Sequence, residues 1–417
     1  MPSATRPAPV ARAAVALALW VTMAGTTVPT PLYPLYQHAF GFTPFAVTVV
    51  FAVYAVGVVA GLLTLGRLSD RIGRRPVLAG ALLLAAAADG LFEAADSLPW
   101  LLTARVVSGL SAALITGSAT AALLDLAAPD RRQHAQTLAL AANMGGLACG
   151  TLIAGALAQW AGSPLRLPWT VMLALTATAL LGLLAVPETV PGGGSGPEQT
   201  GAGQTGAGRA GARFRLRLQP LRVPAAIRPA FLRAALAGGS GFAVLGVLTA
   251  VSGLFLATVL DIHNRALTGL VVCLAFAATA VGQLLARVLP APRALPTACA
   301  GLVAAAALIA TALLTESLTP LLLGACVNGL ATGTAVGTGL GAINTGVAPQ
   351  QRGEAVSTFF AILYTMLSVP VVGVGVLIQL AGLRTAGLVF SALVAALALG
   401  AAAGLARRPA TVHPREA

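Results

Sequence analysis

The sequence contains no lysine, and it has few charged residues of any kind. Charged residues make up 9% of the 417 residues, whereas hydrophobic residues make up 57%. A soluble domain carries roughly 25% charged residues, so this chain has too little polar surface to fold in water. Lipid is therefore its expected solvent and partner. The absence of lysine also excludes Schiff-base and lysine-nucleophile chemistry.

Cysteine and histidine are equally scarce, with four residues of each. The cysteines lie inside apolar runs without disulfide or metal-ligand spacing, which indicates small core residues: Cys149, Cys273, Cys299 and Cys326. The histidines fall in predicted loops or the C-terminal tail, and none belongs to a recognisable catalytic motif: His38, His134, His263 and His413. The sequence therefore predicts no metal, no cofactor and no enzymatic activity.

Long apolar runs dominate the chain. A helix needs about 20 apolar residues to cross the hydrocarbon core. Twelve runs meet this requirement: 11–32, 45–65, 76–95, 98–124, 134–160, 168–187, 230–258, 267–288, 295–314, 318–345, 354–380 and 384–405. The sequence predicts an all-α membrane protein with an N-terminal six-helix half (1–187), a Gly- and Pro-rich cytoplasmic linker (188–229), a C-terminal six-helix half (230–406) and a cytoplasmic tail (407–417).

The distribution of arginine predicts the orientation. With the N-terminus inside, 21 of the 25 arginines fall in inner segments and 3 in outer loops, which follows the positive-inside rule. The formal net charge of +13 is thus a feature of topology and does not indicate nucleic-acid binding. The alanine-rich, lysine-free composition is typical of a GC-rich bacterial gene. We expect a monomer in a bacterial inner membrane, with both termini cytoplasmic.

An internal repeat relates the two halves. Residues 128–135 align with 348–355 at an offset of 220, and residues 108–110 align with 328–330 at the same offset. Two matches in register at corresponding helix ends predict two pseudo-symmetric six-helix bundles. In transporters built this way, the substrate site lies near the membrane midplane between the halves.

A charged loop joins the second and third spans. It reads Gly-Arg-Leu-Ser-Asp-Arg-Ile-Gly-Arg-Arg over 66–75, and this sequence resembles the signature loop of the major facilitator superfamily at every defining position. The resemblance implies a latch on the cytoplasmic side made by Gly66, Asp70, Arg71, Gly73, Arg74, Arg75 and Asp125. In it Asp70 would cap helix 11 of the other half, and Asp125 would receive Arg74 or Arg75. A solvated topology determinant is the alternative. Ala286 stands where the second half would carry the aspartate, so the latch is expected to be asymmetric.

One arginine lies inside a predicted span. Arg105 belongs to a segment of span 4 that resembles the family's second motif, and an arginine at this depth costs on the order of 2.5–3.5 kcal/mol without a partner. Asp89 lies at matching depth in span 3, with Glu93 one turn away on the same face. We predict an Asp89–Arg105 pair, which either couples protonation to movement or simply joins two helices.

Span 5 is rich in glycine. Its segment 146–155 resembles the antiporter motif of drug-efflux members of the family, although Thr151 replaces a proline and Ala154 a glycine. Close helix packing explains the same spacing. Both interpretations are open at the level of sequence.

The substrate path is expected beside spans 1, 4, 7 and 10. Polar and aromatic residues on these spans and on span 5 are the candidate cavity residues: Trp20, Thr26, Ser108, Asn143, Phe242, Asn328 and Thr332. No acidic residue lies deep in span 1 or in spans 7 to 12, which disfavours a strongly cationic substrate.

These features predict a secondary active transporter that works by alternating access. Proton-coupled efflux of small amphipathic compounds, driven by the proton motive force, is the first hypothesis. A permease or exporter of a sugar or other polar metabolite is the second. A transport-inactive receptor or scaffold with the same fold is the alternative from another functional class.

Overall fold

A computed structural model of the chain describes residues 8–66, 68–190, 223–225 and 227–406. Within these ranges every regular element is helical. Most of the predicted linker, the tail 407–417 and Arg67 of the charged loop lie outside the described residues.

The first half contains six membrane-length helical segments. They are formed by α1 (Ala8–Thr27) with α2 (Pro29–Phe40), then α3 (Pro44–Leu65), α5 (Arg74–Glu93), α6 (Leu98–Asp125), α7 (Arg132–Trp160) and α8 (Leu167–Gly182). The short helix α4 (Leu68–Ile72) lies in the charged loop between α3 and α5.

The second half supplies α9 (Arg228–Thr258), α10 (Arg265–Val288), α11 (Ala291–Thr315), α12 (Leu318–Gly346) and α13 (Pro349–Ala406). Among the described residues, eleven helices are long and apolar enough to cross a membrane. The last of them is interrupted at Gly382, which has φ 80° and ψ 164°. A residue with this conformation ends one helix and begins another, so α13 contributes two spans and the predicted total of twelve is confirmed.

The first span is longer than the sequence suggested. The prediction ended it at residue 32, before further prolines, but the helical segment runs over Pro9–Phe40. Val28 between α1 and α2 keeps helical angles (φ −48°, ψ −42°), and Pro29 occupies the first turn of α2, where a missing N–H costs little. The prolines therefore weaken the helix locally without ending it.

Two pairs of helices supply most of the contact between the two halves. α7 packs against α10, and α3 packs against α13. At the end of the bundle away from the charged loop, α2 also contacts α9 and α10, whereas α6 and α12 do not pack closely against each other. The halves thus meet at that distal end, and at the loop end, which carries the 66–75 loop, Arg287 of α10 donates to Thr137 of α7 at 2.9 Å.

The sequence repeat has a structural counterpart at two glycines. Gly109 of α6 lies against the backbone of α3 at Tyr54, and Gly329 of α12 lies against the backbone of α10 at Ala275. A Cβ at either position would collide with that backbone. The two positions are 220 residues apart, so the repeat preserves the same close helix crossing in both halves.

Candidate functional site: a charged loop and a buried arginine

The charged loop is organised around Arg74, the first residue of α5. Its guanidinium pairs with Asp70 one turn earlier, donates to Ser69 Oγ at 2.8 Å and pairs with Asp125 at the end of α6 at 3.2 Å. Arg74, and not Arg75, is therefore the arginine that meets Asp125. The ion pair recorded for Asp70 lies within its own loop and does not reach the other half.

Glu188, at the end of the first half, closes this network. Its carboxylate accepts from the backbone N–H groups of Arg74 (2.8 Å) and Arg75 (3.0 Å) at the start of α5. Thr189 donates its hydroxyl to Asp125 at 3.2 Å. Partial burial raises the pKa of the Glu188 carboxyl, but four backbone N–H bonds outweigh this effect, so its pKa lies below the ordinary value of 4.5.

Gly73 explains why the carboxylate can reach the start of α5. Its φ is 105°, a conformation that side chains with a Cβ rarely adopt, and a Cβ there would collide with the Glu188 carboxylate. The glycine therefore permits the turn and leaves space for the cap.

Arg105 lies deep in the first half, with 1% of its surface exposed. Its guanidinium donates to the Thr26 carbonyl at 2.7 Å and to the Tyr33 hydroxyl. Three rings surround it, with centroids 5.5 Å (Tyr33), 5.7 Å (Tyr54) and 5.8 Å (Phe92) from the guanidinium carbon. Its Nε has no hydrogen-bond partner in the described part of the chain. We call Arg105 with these three rings the arginine cage.

The predicted Asp89–Arg105 ion pair is absent from the structure. Asp89, 4% exposed, instead accepts from Thr176 of α8 at 3.3 Å and lies beside Gly25 of α1. Glu93 also faces α8, where it accepts from Thr170 at 3.0 Å. Counted along their helices, Asp89 and Arg105 lie at the same depth. However, Asp89 on α5 faces α8, whereas Arg105 on α6 faces α2 and α3.

Aromatic contacts extend the arginine cage to the second half. Tyr54 meets Tyr364 of α13 edge to face at 6.2 Å, and Tyr364 meets Phe242 of α9 at 6.1 Å. Thr26 lies beside Tyr54. The cage is therefore one ring away from the boundary between the halves, where the repeat architecture predicts the substrate site.

The remaining cavity candidates form separate groups. Asn328 of α12 donates to the Gly241 carbonyl at 3.3 Å and accepts from no described residue, while Thr332 donates to the Asn328 carbonyl at 2.7 Å. This group lies next to Phe242. Ser108 donates to the Arg105 carbonyl at 3.0 Å, so its hydroxyl is occupied within its own helix.

Trp20 packs beside Gly145 of α7, two residues from half-buried Asn143. The structure therefore joins only Thr26 and Phe242 of the cavity candidates to the arginine cage.

The glycines of span 5 contribute to packing. Gly146 and Gly150 lie against the backbone of α1, and Gly155 lies against α10 of the other half. Thr151, which replaces the motif's proline, donates to the Gly269 carbonyl of α10 at 3.0 Å. A role in antiport stays a prediction, but this segment lies at the contact between the halves.

Sequence reasoning missed the cage rings and Glu188. One signal was available, because the chain has only four tyrosines. Tyr33, Tyr54 and Tyr364 belong to the cage and its extension, and Tyr36 accepts at 2.8 Å from Trp169, which stacks on Phe92 with centroids 4.3 Å apart. A rare residue type concentrated at one place could have been noted. Glu188 had no comparable signal.

Comparisons with known proteins agree with this architecture. The family model described as Major Facilitator Superfamily matches residues 15–369. No curated protein sequence matches the chain. Among solved structures, a bacterial homologue of the human lysosomal transporter Spinster, inward-facing and unoccupied, is similar with a TM-score of 0.70 and 17% identity, over 97% of this chain and 99% of that one.

Two further transporters are similar at comparable levels. The human organic anion transporter MFSD10 has a TM-score of 0.63 and 19% identity, over 96% of this chain and 99% of its own. The nucleoside transporter NupG has a TM-score of 0.71 and 13% identity, over 94% and 99%. At these identities the likeness concerns the fold. With the match of the family model and the twelve spans, it establishes that the chain belongs to the Major Facilitator Superfamily.

Proposed function

We propose that the protein is a secondary active transporter that exports small amphipathic compounds in exchange for protons. The observation that carries this proposal is the aromatic line from Tyr54 through Tyr364 to Phe242, which crosses the boundary between the halves beside a buried charge. Ring faces bind apolar bodies, and the hydroxyls and guanidinium orient polar groups. Rocking of the halves about this site would expose it to each side in turn.

Alternating access would open a path between the halves at each end in turn. In the orientation predicted from arginine, the loop end is cytoplasmic, so opening there would let a compound from the cytoplasm reach Tyr364 and Phe242, both of which are half-buried. At the distal end, a shallow cleft lined by Thr30, Tyr33 and residues of α3 and α9 marks where the halves would part in the opposite state.

Asp89 is the residue that we propose carries the proton. A buried carboxylate without a cation is costly when ionised, and binding a proton removes that cost. Thr176 faces it from α8 and Gly25 from α1, neither of which is charged, and Arg105 of α6 bonds elsewhere. Glu93, one turn toward the distal end and partly exposed, would supply protons from that side.

The test is proton flux in proteoliposomes that contain a pH-sensitive dye, with a panel of dyes, antibiotics and sugars as substrates. We expect an amphipathic compound to drive saturable proton movement. Asp89→Asn should abolish that movement while substrate exchange without a proton gradient continues. Asp96→Asn is the matched control, because Asp96 is an exposed acid at the same end.

Each contrary outcome has a distinct meaning. Proton movement with sugars alone would replace this proposal by a sugar or polar-metabolite permease. Normal proton movement in Asp89→Asn would refute the role of Asp89 only. No transport of any compound would favour an inactive receptor or scaffold.

A further inference from the structure

The arginine cage holds a positive charge that the described residues do not neutralise. Arginine stays protonated in proteins, and Arg105 forms no ion pair with any acid in the described ranges. Asp89, the buried acid of the neighbouring helix, bonds to Thr176 instead. Asp89 can lose its charge by binding a proton, whereas Arg105 has no such way to become neutral.

Three ring faces and two hydrogen bonds surround the Arg105 guanidinium, but none of these partners carries a negative charge. Nε, buried and without a partner, leaves one N–H of the guanidinium unsatisfied. A bound anion would neutralise the charge of Arg105 and accept from this unsatisfied N–H.

The donors of the cage match the oxygens of a carboxylate or sulfonate. A guanidinium offers parallel N–H groups that suit a planar oxyanion, and Nε and Nη2 lie on one edge of it. In this structure Nη2 donates to the Tyr33 hydroxyl. Tyr33 also lines the cleft at the distal end. The Tyr33 hydroxyl thus occupies the place that an anion would take. Rotation of the Tyr33 ring would free the Nε and Nη2 donors of Arg105.

The ring faces beyond the cage suit an apolar body. Tyr54, Tyr364 and Phe242 continue from the guanidinium across the boundary between the halves. Among the described residues of the second half, the acids Asp261, Glu316 and Glu354 lie near helix ends, at least ten residues along the chain from Phe242 and Tyr364. Among the described residues, this part of the path therefore offers no carboxylate that would pair with a cationic head group.

We propose that the substrate is an amphipathic organic anion, whose carboxylate or sulfonate binds Arg105 and whose apolar body lies along Tyr54, Tyr364 and Phe242. This inference rests on the proposed transport function and specifies its substrate class.

Three fluorescent probes with the same apolar body test the inference: dansylglycine (anionic), dansylglycinamide (neutral) and dansylcadaverine (cationic). Saturable counterflow of each is measured in proteoliposomes. We expect counterflow of dansylglycine, with at least tenfold lower efficiency for the other two. Equal efficiency for the amide or the amine would overturn the substrate class and leave the transport function standing. Absence of counterflow for all three, together with silence of the wider panel, would overturn both.

Variants of Arg105 localise the effect. Arg105→Gln should raise the KM for dansylglycine at least tenfold, and Arg105→Lys, which keeps the charge but loses the paired donors, should raise it less. Binding is measured separately as the rise in thermal stability that dansylglycine produces in detergent, so that a poorly folded variant is recognised. A folded Arg105→Lys or Arg105→Gln protein with the dansylglycine KM of the unchanged protein would overturn the assignment.

Discussion

Replacing Glu188 by glutamine tests how the end of the first half supports the charged loop. The carboxylate accepts four backbone N–H groups, two of them at the start of α5 and two from Thr189 and Val190 at 3.0 Å. Glutamine keeps the size of the side chain and one acceptor oxygen, but it loses the negative charge. The substitution therefore removes the helix-dipole interaction and weakens the cap.

The magnitude follows from the geometry. Loss of a capping side chain costs about 1 kcal/mol, and a charge at an exposed helix N-terminus contributes about 0.3–1 kcal/mol. We expect Glu188→Gln to lower the free energy of unfolding by about 0.5–1 kcal/mol and Glu188→Ala by about 1–2 kcal/mol. For a half of this size, 1 kcal/mol corresponds to a Tm decrease of roughly 2–4 °C.

The pH dependence provides an independent signature. The folded pKa of Glu188 lies below the ordinary value of 4.5, so its contribution is fully present above 4.5 and is lost as pH falls through the folded pKa. The difference in Tm between the unchanged protein and Glu188→Gln should therefore be constant near neutral pH. It should shrink when the pH falls below about 4.5.

Thermal unfolding in detergent, followed with a thiol-reactive dye, measures this effect, because the four cysteines are buried or half-buried. Asp130→Asn is the matched control, since Asp130 is exposed at the same end and its ion pair with Arg131 is 3.9 Å long. The control should change Tm by less than about 1 °C. An unchanged Tm in both Glu188 variants, or an equal loss in the control, would refute the reasoning.

Two further predictions concern helix contacts. Gly109→Ala should destabilise the protein by about 1–3 kcal/mol, because its Cβ meets the α3 backbone. Gly117→Ala, whose Cβ meets open space, should leave the stability unchanged. Thermal unfolding measures both variants, and equal effects would contradict the close helix crossing at Gly109. Thr151→Val removes the hydrogen bond from the Thr151 hydroxyl to the Gly269 carbonyl of the other half. The loss of about 1 kcal/mol would shift the equilibrium between this state and the opposite state of the transporter about fivefold. Labelling of Cys273 on α10 by a thiol reagent should rise accordingly, and unchanged labelling would show that this bond does not hold the state.

Much of the fold could be predicted because its signals are local. A helix that crosses lipid must satisfy its own backbone and present an apolar surface, so each span appears in the sequence as an uninterrupted run. For example, the predicted run 98–124 is the helix Leu98–Asp125. The first span was the exception, because the predicted run ended at residue 32 although the chain stays helical through Pro34 to Phe40.

The charged loop was likewise recognisable from its spacing, but its partners were not. The pairing of Arg74 with Asp125 joins residues 51 positions apart, and the cap by Glu188 joins residues 114 apart. Such contacts depend on how α5, α6 and the end of the first half are placed together. No local pattern of residues contains that information.

The sequence by itself determined the number of spans, the two-fold repeat, the charged loop and the depth of Arg105 in the membrane. Only the tertiary structure decided which groups face Arg105. Position along a helix axis can be counted at 1.5 Å per residue, but the rotation of each helix about its axis is set by packing against its neighbours. For this reason Asp89 and Arg105 share a depth without forming a pair, and three aromatic rings from α2, α3 and α5 enclose the arginine instead.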